Sequence, residues 1–303
     1  MRPNHILLAL AVVAIWGVNF AVIKIGLQQV SPLALGVARF ALAAFPWVFF
    51  VPRPKVSLKM IAAYGLLIFA LQFGFLFSGM KVGMSAGLAS LILQLQVFFT
   101  IGLSVVVLGE RPTAWQIAGA LLAFSGVAYV ALHVGGDVTI GGLLLLVAAA
   151  ASWGGGNIVS KQISARASTQ NMLGLVVWGS LFALPPLAAV ALLVERQAFF
   201  ASFAGMDWAS AGAIAYIVYL STLICFAAWS RLLGLYPVST VAPFTLLVPV
   251  FGFLGSAALL GEPFTGWKLT ASSLVIAGLM VNLFGRRLLQ PFLRPAVRPP
   301  NPG

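Results

Sequence analysis

Apolar stretches of about twenty residues follow one another along this chain almost without a break, each long enough to cross a bilayer as a helix. Inside a membrane every backbone polar group must be bonded within the protein, which leaves helices and closed barrels. The runs are continuous and rich in Leu and Ala, without the period-2 alternation of barrel strands. An all-α membrane protein is therefore expected. Composition agrees, since 61% of the 303 residues are hydrophobic and only 7% are charged. The expected helices are roughly 5–27, 32–51, 58–79, 84–108, 113–133, 139–161, 170–194, 208–232, 238–260 and 266–287. Short loops carry the breakers Ser31-Pro32, Pro52-Arg53-Pro54, Arg111-Pro112, Gly135-Gly136-Asp137 and Tyr236-Pro237. Arg2 and His5 precede a first run with no small-residue cleavage pattern, so it reads as a retained helix. The single Cys225 excludes an internal disulfide. From Gln290 the chain is prolines and arginines with nothing to bury, and 288–303 is expected to be a disordered cytoplasmic tail.

One unit is written twice. Leu108-Gly109-Glu110, Trp115 and Gly126 recur as Leu260-Gly261-Glu262, Trp267 and Gly278, every pair 152 residues apart. Earlier in each half, Trp16-Gly17 and Lys24 recur as Trp153-Gly154 and Lys161, 137 residues apart, and Leu35-Gly36 recurs as Leu173-Gly174. The period is too long for a solenoid and marks a duplicated domain, with additional residues in the second copy near 195–208. The units are 1–135 and 136–287, five helices each. An odd number inverts the second copy, giving ten transmembrane helices as two inverted five-helix repeats. That is a common architecture of secondary transporters, with the substrate site between halves near midplane.

Charge sets the orientation. With a cytoplasmic N-terminus, Arg2, Arg53, Lys55, Lys59, Arg111, Lys161, Arg166, Arg231, Arg286, Arg287, Arg294 and Arg298 lie inside. Only Lys24, Lys81, Arg196 and Lys268 lie outside, while Arg39 falls within a helix. This positive-inside bias places both termini in the cytoplasm. It also accounts for the net charge of +12 without a nucleic-acid partner.

The repeated Trp-Gly with Lys eight residues after the Trp, and Gly-Glu with Trp five after the Glu, resemble the EamA domain of the drug/metabolite transporter superfamily. The resemblance covers both halves, roughly 5–287. The stretches WGVNFAVIKIGL, GLASLILQLQVFFTI and APFTLLVPVFG are similar to bacterial amino-acid metabolite exporters of the cysteine and O-acetylserine type, with aromatic amino-acid exporters a more distant relation. The resemblance implies a ten-helix carrier of the bacterial inner membrane exporting amino acids or their derivatives. A monomer is favoured.

Several residues suit a zwitterionic solute. Trp16 and Asn19 share a face of the first helix, and Trp153 and Asn157 share one of the sixth. Structural packing and inter-helix bonding fit the same residues. Glycines 154 to 156 allow close helix contact or local unwinding. Gln72, Gln94 and Gln96 add polar groups. On a regular helix Gln94 and Gln96 point about 200° apart, so one is expected to line the pathway and the other to tie helices. Pro243 and Pro249 free the carbonyls of Ser239 and Thr245 in the ninth helix, as a gating kink or a static bend. Phe73, Phe77, Phe98, Phe99, Trp178, Tyr219 and Trp229 are candidates for an apolar wall or for ordinary packing. Arg39 breaks the symmetry, its counterpart being Val177. Structural anchoring is placed ahead of attracting a substrate carboxylate. Lys24 and Lys161, near helix ends, are expected to snorkel.

The acids are Glu110, Asp137, Glu195, Asp207 and Glu262, all expected at helix ends or loops, as are His5 and His133. No HExxH, Walker A, paired acids or nucleophile–base pattern is present, so no metal, cofactor or ATP-driven cycle is expected. A multi-pass membrane enzyme would need a polar catalytic loop that the sequence lacks. Without a mid-membrane carboxylate, facilitated diffusion is expected, with proton antiport through Glu110 or Glu262 as the alternative.

Overall fold

The computed structural model describes residues 1–166 and 172–289, and among them ten helices are long and apolar enough to cross a membrane. They are α1 (Pro3–Gln29), α2 (Pro32–Phe49), α3 (Leu58–Lys81), α4 (Ala86–Leu108) and α5 (Ala114–Ala131), then α6 (Ile140–Ala165), α7 (Met172–Val194), α8 (Trp208–Leu235), α9 (Ala242–Leu260) and α10 (Gly266–Gly285). No β-strand occurs among the described residues, only an isolated bridge between Gly135 and Val138. The all-α expectation therefore holds, with small differences at the ends. Regular helix in α2 stops at Ala44, just before Phe45-Pro46, and a 3₁₀ turn follows over Trp47–Phe49. Pro46 lacks an N–H and disfavours helical geometry at Phe45. The additional residues of the second half form a short helix, Gln197–Ala204. The tail from Gln290 lies outside the described residues.

The duplicated Leu-Gly-Glu folds identically at both places. Gly109 (φ 67°) and Gly261 (φ 66°) end α4 and α9 in the left-handed region, where a Cβ would be strained. The backbone N–H of Glu110 then reaches the Ser104 carbonyl at 3.3 Å, and that of Glu262 reaches the Ser256 carbonyl at 3.3 Å.

Glycine sets how closely the helices approach. A Cβ on Gly17 of α1 would lie 2.8 Å from the Gly252 nitrogen of α9, and one on Gly154 of α6 would lie 3.0 Å from the Thr100 nitrogen of α4. Gly17 and Gly154 are repeat partners, as are Gly252 and Thr100, so the two contacts are the same contact with the halves exchanged. Helices α5 and α10 pack chiefly on each other. There a Cβ on Gly119 would meet the Gly278 carbonyl oxygen at 2.5 Å, and one on Gly278 would meet that of Gly119 at 2.5 Å. Small residues give van der Waals contact where lipid supplies no hydrophobic drive between helices. The glycines at 154–156 serve close contact, since helix is continuous over Ile140–Arg166.

Four inner helices leave α geometry at matched places. A π-helical segment occupies Leu66–Leu71 in α3 and Tyr216–Ile224 in α8. A 3₁₀ segment occupies Leu93–Leu95 in α4 and Ala242–Leu247 at the start of α9. All four segments border the same central space.

Candidate functional site

That space is a cavity of about 300 Å³. Its wall is drawn from α1, α2, α3, α4, α6, α7, α8 and α9, and includes Trp16, Asn19, Gln72, Gln94, Trp153, Asn157 and Trp229. These seven sequence candidates share one cavity. Phe77, Trp178 and Tyr219 do not line it. Phe77 is fully buried among packed side chains, and Tyr219 points outward, 41% exposed. The Trp178 indole N–H donates to the Val51 carbonyl at 3.0 Å, at the end of the bundle. Phe98 and Phe99 also lie outside the wall, whereas Phe73 is part of it. An apolar aromatic has no partner to name its direction, so hydropathy could not sort these rings.

The cavity is lopsided along the membrane axis. From Leu76, Ser90 and Val248 its wall extends to Tyr64, Ser160, Met172 and Leu233, toward the face where α1 begins. At the opposite face the repeated lysine and glutamate close the bundle. The Lys24 ammonium donates to the carbonyls of Met80 and of Met84 (2.9 Å for the latter), and the Glu262 carboxylate accepts the N–H groups of Ala86 (2.8 Å) and Gly87 (3.2 Å). A carboxylate on the first turn of α4 meets unbonded N–H groups and the positive end of the helix dipole. Nearby, Glu195 accepts from the N–H groups of Leu33 (2.7 Å) and Ala34 (3.1 Å) at the start of α2. At the α1-start face the repeat partners of Lys24 and Glu262 are Lys161 and Glu110, and these bind each other, both about half exposed. The Lys161 hydrogen bond holds the Glu110 carboxyl below its ordinary range. Lys24 turns onto carbonyls of the bundle, while Lys161 is half exposed and meets an acid.

Several polar groups of the wall are bonded to their neighbours. The Trp16 indole N–H donates to the Ser221 carbonyl at 3.0 Å, within the π-helical segment of α8. Asn157 donates through Nδ2 to Gln96 Oε1 (2.6 Å) and Thr100 Oγ1 (3.0 Å). Gln94 Nε2 reaches the Thr245 carbonyl at 3.4 Å, the oxygen that Pro249 was expected to free. Gln94 and Gln96 both line the cavity, contrary to the expectation that only one does. The 3₁₀ segment between them is the cause: at three residues per turn, positions two apart close to about 120° of each other.

Arg39 is the charged residue of this wall. It is 3% exposed and belongs to the cavity wall. Nη2 donates to Thr222 Oγ1 at 2.9 Å, and Cζ sits 3.8 Å from the Phe73 ring centroid. The Arg39 Nε and Nη1 atoms, and Asn19 Oδ1, have no hydrogen-bond partner among the described residues. All five acids lie outside the ten spans, so none pairs with this guanidinium within the membrane. No cluster of His, Cys, Asp and Glu able to hold a metal occurs among the described residues.

Comparison with known proteins finds the EamA-like transporter family over residues 4–132 and 140–284. A Salmonella typhimurium protein named "Probable amino-acid metabolite efflux pump" is 43% identical over 284 residues, 93% of this chain and 95% of that one. An Escherichia coli protein of the same name is 42% identical over 284 residues, 92% and 95% of the two chains. A "Probable terminal-alkyne amino-acid exporter" of Streptantibioticus cattleyicolor is 30% identical over 285 residues, 91% and 92%. A solved crystal structure matches in fold with a TM-score of 0.64 at 19% identity, covering 98% of this chain and 100% of that one.

Proposed function

Since the chain belongs to the EamA-like transporter family, we propose that this multi-pass membrane transporter exports amino acids or related small metabolites by alternating access between two inverted halves. The observation that carries the reading is the unequal use of one repeated lysine–glutamate pair. At one face Lys24 and Glu262 bind the α3–α4 corner; at the other, Lys161 and Glu110 pair with each other and the cavity extends toward that face. Exchange of roles gives the opposite state. Glu110 then caps the backbone N–H groups of Val238 and Ser239, which match Ala86 and Gly87 in the repeat, and Glu262 is released. The reciprocal contacts Gly17 with Gly252 and Gly154 with Thr100 support such an exchange. Pro243 and Pro249 supply the hinge in α9, where the helix already departs from α geometry.

The open face is taken as cytoplasmic because it carries the excess of Lys and Arg. The same bias favours both termini inside, and the similarity to bacterial efflux pumps favours the inner membrane. The cavity is built within one chain, so a monomer suffices. With every carboxylate outside the spans, a neutral solute crosses without a titrating relay, as a uniporter driven by its own gradient. Counterflow in proteoliposomes with a panel of labelled amino acids tests the substrate class; exchange of none of them rejects it. An imposed pH gradient at clamped potential tests coupling. Accumulation of a neutral amino acid above equilibrium would reject uniport and favour proton antiport through Glu110 or Glu262.

A further inference from the structure

A guanidinium buried in a membrane is costly and is ordinarily satisfied by a carboxylate or by several carbonyls. Arg39 has one hydroxyl, Thr222, and an aromatic face, Phe73. These two contacts fix the plane and position of the guanidinium while leaving Nε and Nη1 without a protein partner among the described residues. Across the same cavity wall, on α1, Asn19 is 7% exposed and its Oδ1 is likewise unpartnered. One buried cationic donor and one buried neutral acceptor thus remain, on a wall where Trp16, Gln94 and Asn157 are already bonded to neighbouring groups.

We propose that Arg39 and Asn19 form a main-chain subsite for an α-amino acid: the guanidinium takes the α-carboxylate and Asn19 Oδ1 accepts from the α-ammonium. This deepens the amino-acid reading above and rests on it. Charge decides the assignment. The guanidinium attracts an anionic group and repels a cationic one, while the amide oxygen accepts from N–H without requiring a buried acid. The substrate side chain then meets Trp16, Trp153, Phe226 and Trp229, surfaces that exclude water and carry no charge. The subsite therefore demands a free carboxylate and tolerates varied small or apolar side chains. Amines lacking the carboxylate leave Arg39 buried and unpaired, the costlier outcome.

The test uses matched triplets: L-serine, its methyl ester and ethanolamine; L-cysteine, its methyl ester and cysteamine; L-leucine, its methyl ester and isoamylamine. Binding to the purified full-length protein is read by tryptophan fluorescence, since Trp16, Trp153 and Trp229 line the cavity. Labelled amino-acid counterflow is measured in parallel. At least one amino acid is expected to bind about tenfold or more tightly than its ester and amine. Arg39→Gln should remove that discrimination by weakening the amino acid, leaving the ester within about twofold. A purely structural Arg39 would weaken all three ligands alike, which overturns the proposal. If the variant does not fold, the wild-type series decides alone: equal binding of acid and ester overturns the subsite while counterflow keeps the export reading. Failure of every amino acid in both binding and counterflow overturns both.

Discussion

Asn19 and Asn157 occupy comparable places in the two halves yet have different surroundings, and substitution should separate them. Asn157 holds Gln96 and Thr100. Asn157→Leu leaves Gln96 Oε1 without its donor and should cost about 1–2 kcal/mol of stability. Asn19 Oδ1 bonds to nothing among the described residues, so Asn19→Leu should keep the parent melting temperature in detergent while counterflow falls. Thermal denaturation alongside counterflow checks both. A large loss of stability in Asn19→Leu, or parent transport rates in a folded Asn19→Leu, would show that the residue is only structural.

At the scale of helices, packing density rather than polarity sets what can change. Gly278 and Gly119 face each other's carbonyl oxygens across α5 and α10, with no room for a Cβ. Gly278→Ala should destabilise by about 1–3 kcal/mol through forced separation of the two helices. Gly212 in α8 meets nothing within 4 Å, so Gly212→Ala should be neutral or slightly stabilising. Comparable melting temperatures for both variants would refute the close approach. The π-helical segment of α8 has a different task. Its Thr222 hydroxyl donates to the Ile217 carbonyl while accepting from Arg39, and the Ser221 carbonyl accepts from Trp16. A regular α-helix would rotate those groups away from α1 and α2.

For the whole molecule, the two faces should respond oppositely to loss of a latch. In a Cys225→Ser background with a reporter at Phe20→Cys, Glu262→Gln weakens the closed far face. Labelling by an impermeant maleimide from outside should then speed up several-fold. Under the proposed exchange Glu110→Gln removes the latch of the opposite state and should slow it. Changes of the same sign in both variants would contradict the exchange. The pH dependence follows from the same pair. Lys161 lowers the Glu110 carboxyl below its ordinary value. The stabilisation from that pair is therefore full above the ordinary carboxylate pKa and is lost only as pH falls through the lowered one. Labelling rates governed by this pair, taken relative to a free thiol at the same pH to remove the reporter's own thiolate dependence, should stay flat between about pH 7 and pH 5. A change within that window would point to another group.

The sequence by itself determined the class of structure. Ten apolar stretches leave only helices, and Leu-Gly-Glu with its left-handed glycine recurs because the cap needs a residue without a Cβ. It also picked out most of the cavity's polar wall, since an amide such as Asn19 or Gln72 is too costly to face lipid. Tertiary structure decided the rest. Which aromatics face the cavity depended on helix rotation, so Trp229 lines it and Trp178 caps a carbonyl elsewhere. Gln94 and Gln96 share one wall because the helix tightens to 3₁₀ between them, a departure that no Gly or Pro announces there. What surrounds Arg39 was likewise set by the tertiary fold. A charge in a helix is visible in the sequence; a charge left with unpaired nitrogens in a cavity appears only when eight helices have closed around it.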